Sequence, residues 1–232
     1  MNDYETNSQN ATIDTYVSQV MKRVYVKMFL ALIVTAATSL VIGGNEEIMT
    51  YMLQNTWIYW GLLIGELVMV FTISGAINKL SEGTATLLFY VYAILNGAVF
   101  SIILMAYTAT SIAQTFFITA GVFGAMSIYG YFTSNDLTKM GTYLRMALIG
   151  LIVCIVVNMF MANSTLDWLI SFAGVAIFIG LTAWDTQKIK RLAAQTDPAA
   201  LGKLATMGAL MLYLDFVNLF LYLLRFFGSS RN

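Results

Sequence analysis

Three carboxylates interrupt apolar runs of this chain: Glu66, Asp185 and Asp215. A charged side chain near the bilayer centre costs at least ~2.5–3.5 kcal/mol on insertion scales, so such residues are rare and usually functional. Asp215 is the clearest case. Phe216 to Phe227 supply twelve further residues, or ~18 Å of helix, between it and the end of its apolar run. Asn218 follows three residues later, on the same helical face, which makes that face polar and turns it toward protein. Glu66 lies nine residues past Trp57, or ~14 Å of helix, and a donor such as Asn96 could pair with it. Asp185 closes its apolar run just before Lys188 and Lys190. There a carboxylate in interfacial water and a functional acid are both open readings. No lysine or arginine occupies the middle of an apolar run, so none of the three acids has an obvious buried cation. A buried acid without a cation takes up a proton readily, and two acids sharing a site resist double ionisation. Carboxylates with Asn, Thr and backbone oxygens are also the hard ligands calcium prefers. These residues therefore suit a proton relay or a Ca²⁺ pathway, with Glu66, Asn96 and Asn218 as candidate lining.

Composition narrows the chemistry further. The 232 residues contain no histidine, which removes imidazole-held zinc, Ser-His-Asp triads and the commonest general base. Only 10% of residues are charged and 59% are hydrophobic, whereas a soluble domain carries about a quarter charged. A net charge of +0 offers no basic surface to nucleic acid. The single cysteine, Cys154, forms no intrachain disulfide and reads as a small buried hydrophobe. Asp185 and Asp215 could serve an intramembrane aspartyl protease as acid and base. Yet the Gly-x-Gly-Asp pattern of presenilin-like proteases is missing, because Asp185 follows Leu181-Thr182-Ala183-Trp184. The last apolar run also lacks the central lysine that a retinal Schiff base needs. The expectation is a protein that is not an enzyme and carries no cofactor, with calcium as a permeant or bound ion.

Seven segments are long and apolar enough to cross a bilayer, which needs ~20 residues in helical form. They are Val24–Ile42, Trp57–Ile77, Thr84–Tyr107, Ile112–Phe132, Tyr143–Ala162, Leu166–Asp185 and Leu204–Phe227. Their continuous apolarity favours helices over the alternating strands of a barrel, and short connections make successive helices antiparallel neighbours. The expected fold is an all-α, seven-transmembrane-helix bundle spanning 24–232, preceded by a polar tail at 1–23. That tail does not read as a cleaved secretory signal, so the first span is expected to be a retained anchor. Ten of the twelve basic residues fall on one side: Lys22, Arg23, Lys27, Lys79, Lys139, Arg145, Lys188, Lys190, Arg191 and Lys203. Only Arg225 and Arg231 lie at the opposite, C-terminal end. Cytoplasmic loops collect Lys and Arg, so the N-terminus is expected in the cytoplasm and the C-terminus outside. Trp57, Tyr59, Trp60 and Trp168 then mark the outer interface. The pairs Ala93 and Gly97, Gly121 and Gly124, and Gly174 and Gly180 are expected to let helices approach closely. Gln195-Thr196-Asp197-Pro198 reads as a cap followed by a short interfacial turn.

Two motifs carry a family resemblance. Phe178-Ile179-Gly180-Leu181-Thr182-Ala183-Trp184-Asp185-Thr186-Gln187-Lys188-Ile189-Lys190 and the run from Ala209 through Leu212-Tyr213-Leu214-Asp215-Phe216-Val217-Asn218 to Arg225 resemble signatures of the Bax inhibitor-1 (transmembrane Bax inhibitor motif) family. Gly65-Glu66-Leu67 is similar to its bacterial members, and the resemblance extends over nearly the whole chain. It implies a bundle with the last helix central, and a pair formed by Asp185 and Asp215 that senses pH and gates a Ca²⁺ leak in the inner (plasma) membrane. Some members place a basic residue near the inner end of the second span, against the pair; here Gly75 and Ala76 stand there, and Lys79 is the nearest cation. Other bacterial relatives are similar to non-transporting regulators that bind membrane proteins such as a quality-control protease, for which the tail would be the handle.

The charge asymmetry makes a direct prediction. With Cys154 replaced by alanine, Asn163→Cys should react with an impermeant maleimide in intact cells, and Asn135→Cys only after permeabilisation.

Overall fold

The computed structural model describes residues 2–77 and 79–229, with side chains given from Ile13 onward except at Pro198. Arg231 and the ends of the expected segments at 1 and 230–232 lie outside the described residues. Among the described residues eight α-helices follow in order: α1 Asn2–Gly43, α2 Glu46–Gln54, α3 Thr56–Ala76, α4 Glu82–Met105, α5 Ala109–Phe132, α6 Thr138–Met161, α7 Ser164–Gln195 and α8 Leu201–Phe227. All but α2 are long and apolar enough to cross a membrane, as expected. Among the described residues there is no strand.

Local chemistry sets the helix starts. The Asn45 side chain accepts from the Ile48 N–H, Ser81 from Thr84 and Thr108 from Ser111, each satisfying a donor that the first turn leaves unpaired. The Asp197 carboxylate likewise accepts from the Ala199 N–H, and the expected turn is a single 3₁₀ segment, Pro198–Ala200.

Three features differ from the sequence reading. The helix of the first span begins in the polar segment, at Asn2, and extends it with a face on which Val17, Val20, Met21 and Val24 recur and are buried. α2 is a short amphipathic helix that buries Met49 and Met52 and exposes Ile48, Tyr51 and Leu53. The sixth span continues to Gln195, ten residues beyond Asp185, so Asp185 does not sit at a helix end. The last span is the most enclosed of the seven, with 72% of the residues in its most apolar stretch buried against 6% for α3 and α6.

The chain forms two compact units, residues 2–106 with Ile189–Leu210, and Tyr107–Lys188 with residues 211–229. In the first, Gly97 lets α4 approach α1 so closely that a Cβ would overlap Thr38 and the Thr35 carbonyl, and the Thr35 hydroxyl donates to the Ala93 carbonyl at 3.0 Å. Lys27, counted above as a flanking charge, is an interior residue of α1. Its ammonium donates to Glu82 at 3.3 Å, Thr86 at 2.9 Å and Thr206 at 2.7 Å, which uses all three of its protons. In the second unit a Cβ at Gly130 would collide with the Ala183 carbonyl of α7, so α5 and α7 touch backbone to backbone there. Gly174 receives the Tyr222 ring and Gly180 the Leu144 side chain. Gly121 and Gly124 meet no neighbouring atom, so the close approach expected at that pair does not occur.

Lys27→Met should lower the stability of the detergent-solubilised protein by about 1.5–3 kcal/mol, the range for hydrogen bonds to a charged group. Thr86 and Thr206 remain bonded to each other at 3.0 Å, which limits the loss. Thermal unfolding of the variant measures it.

Candidate functional site

Asp185 on α7 and Asp215 on α8 belong to the same unit and are both buried, at 8% and 4% exposure. They lie within electrostatic reach of one another. The open reading of Asp185 as a carboxylate in interfacial water is therefore overturned: its helix continues past it, and neighbouring helices cover it. One oxygen of each, Oδ1 of Asp185 and Oδ2 of Asp215, is buried without a hydrogen bond, as is the hydroxyl of the adjacent Thr186. Buried acceptors left in this state are costly, which makes the pair the candidate site of this unit.

No apolar run carries a cation at its middle, yet the structure brings two to Asp185, Lys188 from beyond the end of its own apolar run and Arg145 from another helix. Lys188, one turn along α7, holds its ammonium 3.9 Å from Asp185 Oδ1, and the Arg145 guanidinium of α6 also acts on Asp185. The cations are carried by Trp184. Arg145 and Lys188 each lie 4.8 Å from the centre of its ring system, a doubled cation–π arrangement. The indole itself packs where Gly141 has no side chain, since a Cβ there would overlap the ring. Gln187 completes the inner end. Its carbonyl accepts from the Leu137 N–H at 2.9 Å and its amide donates to the Asn135 carbonyl at 2.7 Å, fixing the α5–α6 connection to α7. Trp184 and Gln187 were not singled out in the sequence, although both stand within the motif around Asp185.

The other expected residues fall in two places. Asn218 lies one turn from Asp215, half-buried, with its amide donating to the Leu214 carbonyl at 2.8 Å. Glu66 is half-buried in the first unit, where the Asn96 amide serves it and also reaches the Tyr92 hydroxyl at 3.5 Å. One Glu66 oxygen and the Asn96 carbonyl are left without a hydrogen bond. Among the described residues no three Asp, Glu, Cys or His side chains gather to hold a metal ion. The pair thus presents two carboxyls, against the six to eight oxygens of a resident calcium site. Cys154 is exposed rather than buried.

Residues 17–232 match the family described as Inhibitor of apoptosis-promoting Bax1. The chain belongs to that family. It is 44% identical over 224 residues to the inner membrane protein YbhL of Escherichia coli (strain K12), covering 95% of this chain and 94% of that one. A protein of Borreliella burgdorferi is 45% identical over 214 residues, covering 91% and 92%. A membrane protein of Streptococcus pyogenes serotype M3 is 36% identical over 232 residues, covering 99% and 100%. With its seven apolar helices, this family member is a multi-pass protein of the inner membrane.

Proposed function

We propose that the protein is a pH-sensitive, calcium-permeable leak channel whose gate is the Asp185–Asp215 pair. The observation that carries this reading is the pair of buried carboxyls, each with an oxygen unbonded, within electrostatic reach of each other. When the two share one proton, a hydrogen bond can replace their repulsion and hold α7 against α8. When both are charged, repulsion works against that packing, while Lys188 and Arg145 limit its strength. A carboxylate freed in this way also becomes an oxygen ligand for a hydrated Ca²⁺ in transit. Protonation and cation passage are thus linked through the same oxygens.

Ca²⁺ entry into liposomes containing the purified protein tests this. The rate of the wild type, compared at about pH 6 and about pH 8, should differ severalfold, because two acids sharing a site change charge with pH. Asp215→Asn should flatten that dependence. A profile that the substitution leaves unchanged would remove the pair from the gate.

A further inference from the structure

One face of α5 carries Ser111, Thr115, Thr119, Phe123 and Ser127, all buried and spaced at multiples of four. This row spans ~24 Å of helix, and its surroundings within the second unit are defined at three levels. At one end the Ser111 hydroxyl accepts from the Ser229 N–H at 2.9 Å. At mid-height the Phe123 ring meets the Phe216 ring of α8 edge to face, with centroids 5.4 Å apart. At the other end Gly130 rests on the Ala183 carbonyl, two residues before Asp185.

Hydroxyls buried in a membrane helix ordinarily bond the carbonyl one turn back. Thr119 does so, donating to Thr115 at 2.7 Å. Thr115 and Ser127 do not. They are 0% and 5% exposed, and neither hydroxyl has a partner. Two unbonded hydroxyls on a single face, one on each side of an aromatic contact, have no use in a sealed helix interface. They would suit a file of water or a hydrated cation.

We infer that this face of α5 lines the cation path through the second unit, and that the Phe123–Phe216 contact is its hydrophobic gate. Ser111, Thr115 and Thr119 precede Phe123 on this face and Ser127 follows it, and the Phe216 ring is also held by Phe116, with centroids 5.5 Å apart. Apolar constrictions stop ions by excluding water. Phe216 directly follows Asp215, so any movement of α8 that answers the charge of Asp215 also moves the blocking ring. The inference rests on the leak reading above and adds the path and the barrier.

The test uses full-length protein in liposomes, with Ca²⁺ entry followed at a pH where the wild type is slow. Phe123→Ala should raise the rate by about tenfold or more, equivalent to about 1.4 kcal/mol off the barrier. At the pH where the wild type is fast, Thr115→Val and Ser127→Ala should each lower the rate severalfold. A folded Phe123→Ala protein that leaks no faster than wild type overturns the gate. Should that variant fail to fold, unchanged rates in both hydroxyl variants overturn the path. Asp215→Asn in the same assay separates the two readings. Faster leak in Phe123→Ala with an unaltered pH profile in Asp215→Asn keeps the aromatic gate and discards the aspartate pair; the reverse pattern does the opposite.

Discussion

A carboxylate inside a bilayer must face protein, because lipid offers it neither a hydrogen bond nor a counter-charge. Much of the second unit can be understood from that constraint. Asp215 requires its helix to be enclosed, and α8 is the most enclosed span of the chain. Asp185 meets the same requirement on α7, and the two acids end up in each other's field. Each solves the other's exposure to lipid and creates a second difficulty, their mutual repulsion, which a proton or a cation can relieve.

The surrounding residues bring the helices close and limit the local charge. Gly130 and Gly141 remove the side chains that would hold α5 and α6 away from α7. The space at Gly141 admits the Trp184 ring, and that ring holds both Arg145 and Lys188 near Asp185. Gln187 ties the same stretch of α7 to the α5–α6 connection. In the first unit Lys27 meets a comparable demand differently, with every proton of its ammonium given to a named oxygen. The half-buried Lys27 is fully satisfied, whereas each of the two buried acids keeps an oxygen without a hydrogen bond.

Apolar run length was enough to locate the seven spans, because the bilayer imposes a minimum on each. The intramembrane acids were legible for the same reason: they stand out against leucine and phenylalanine. Helix ends were less so, since hydropathy reports where lipid stops and α7 stays helical to Gln195 in polar sequence. The nine residues of α2 are too few to register as a span. Lys188 was legible beside Asp185, but Arg145 was hidden because it arrives from another helix, over the Trp184 ring that packs on Gly141. The unbonded hydroxyls of Thr115 and Ser127 were likewise unreadable, since a serine or threonine that bonds its own helix has the same sequence signature as one that does not.

The central claim, that Asp185 and Asp215 form one titrating unit, is most directly tested by a double-mutant cycle. Thermal stability of the wild type, Asp185→Asn, Asp215→Asn and the double variant would be compared across pH. If the two carboxyls share a site, the single effects will fail to add by about 0.5–3 kcal/mol, and the discrepancy will vary with pH. Effects that add to within about 0.5 kcal/mol at every pH would show two independent acids and contradict the shared site.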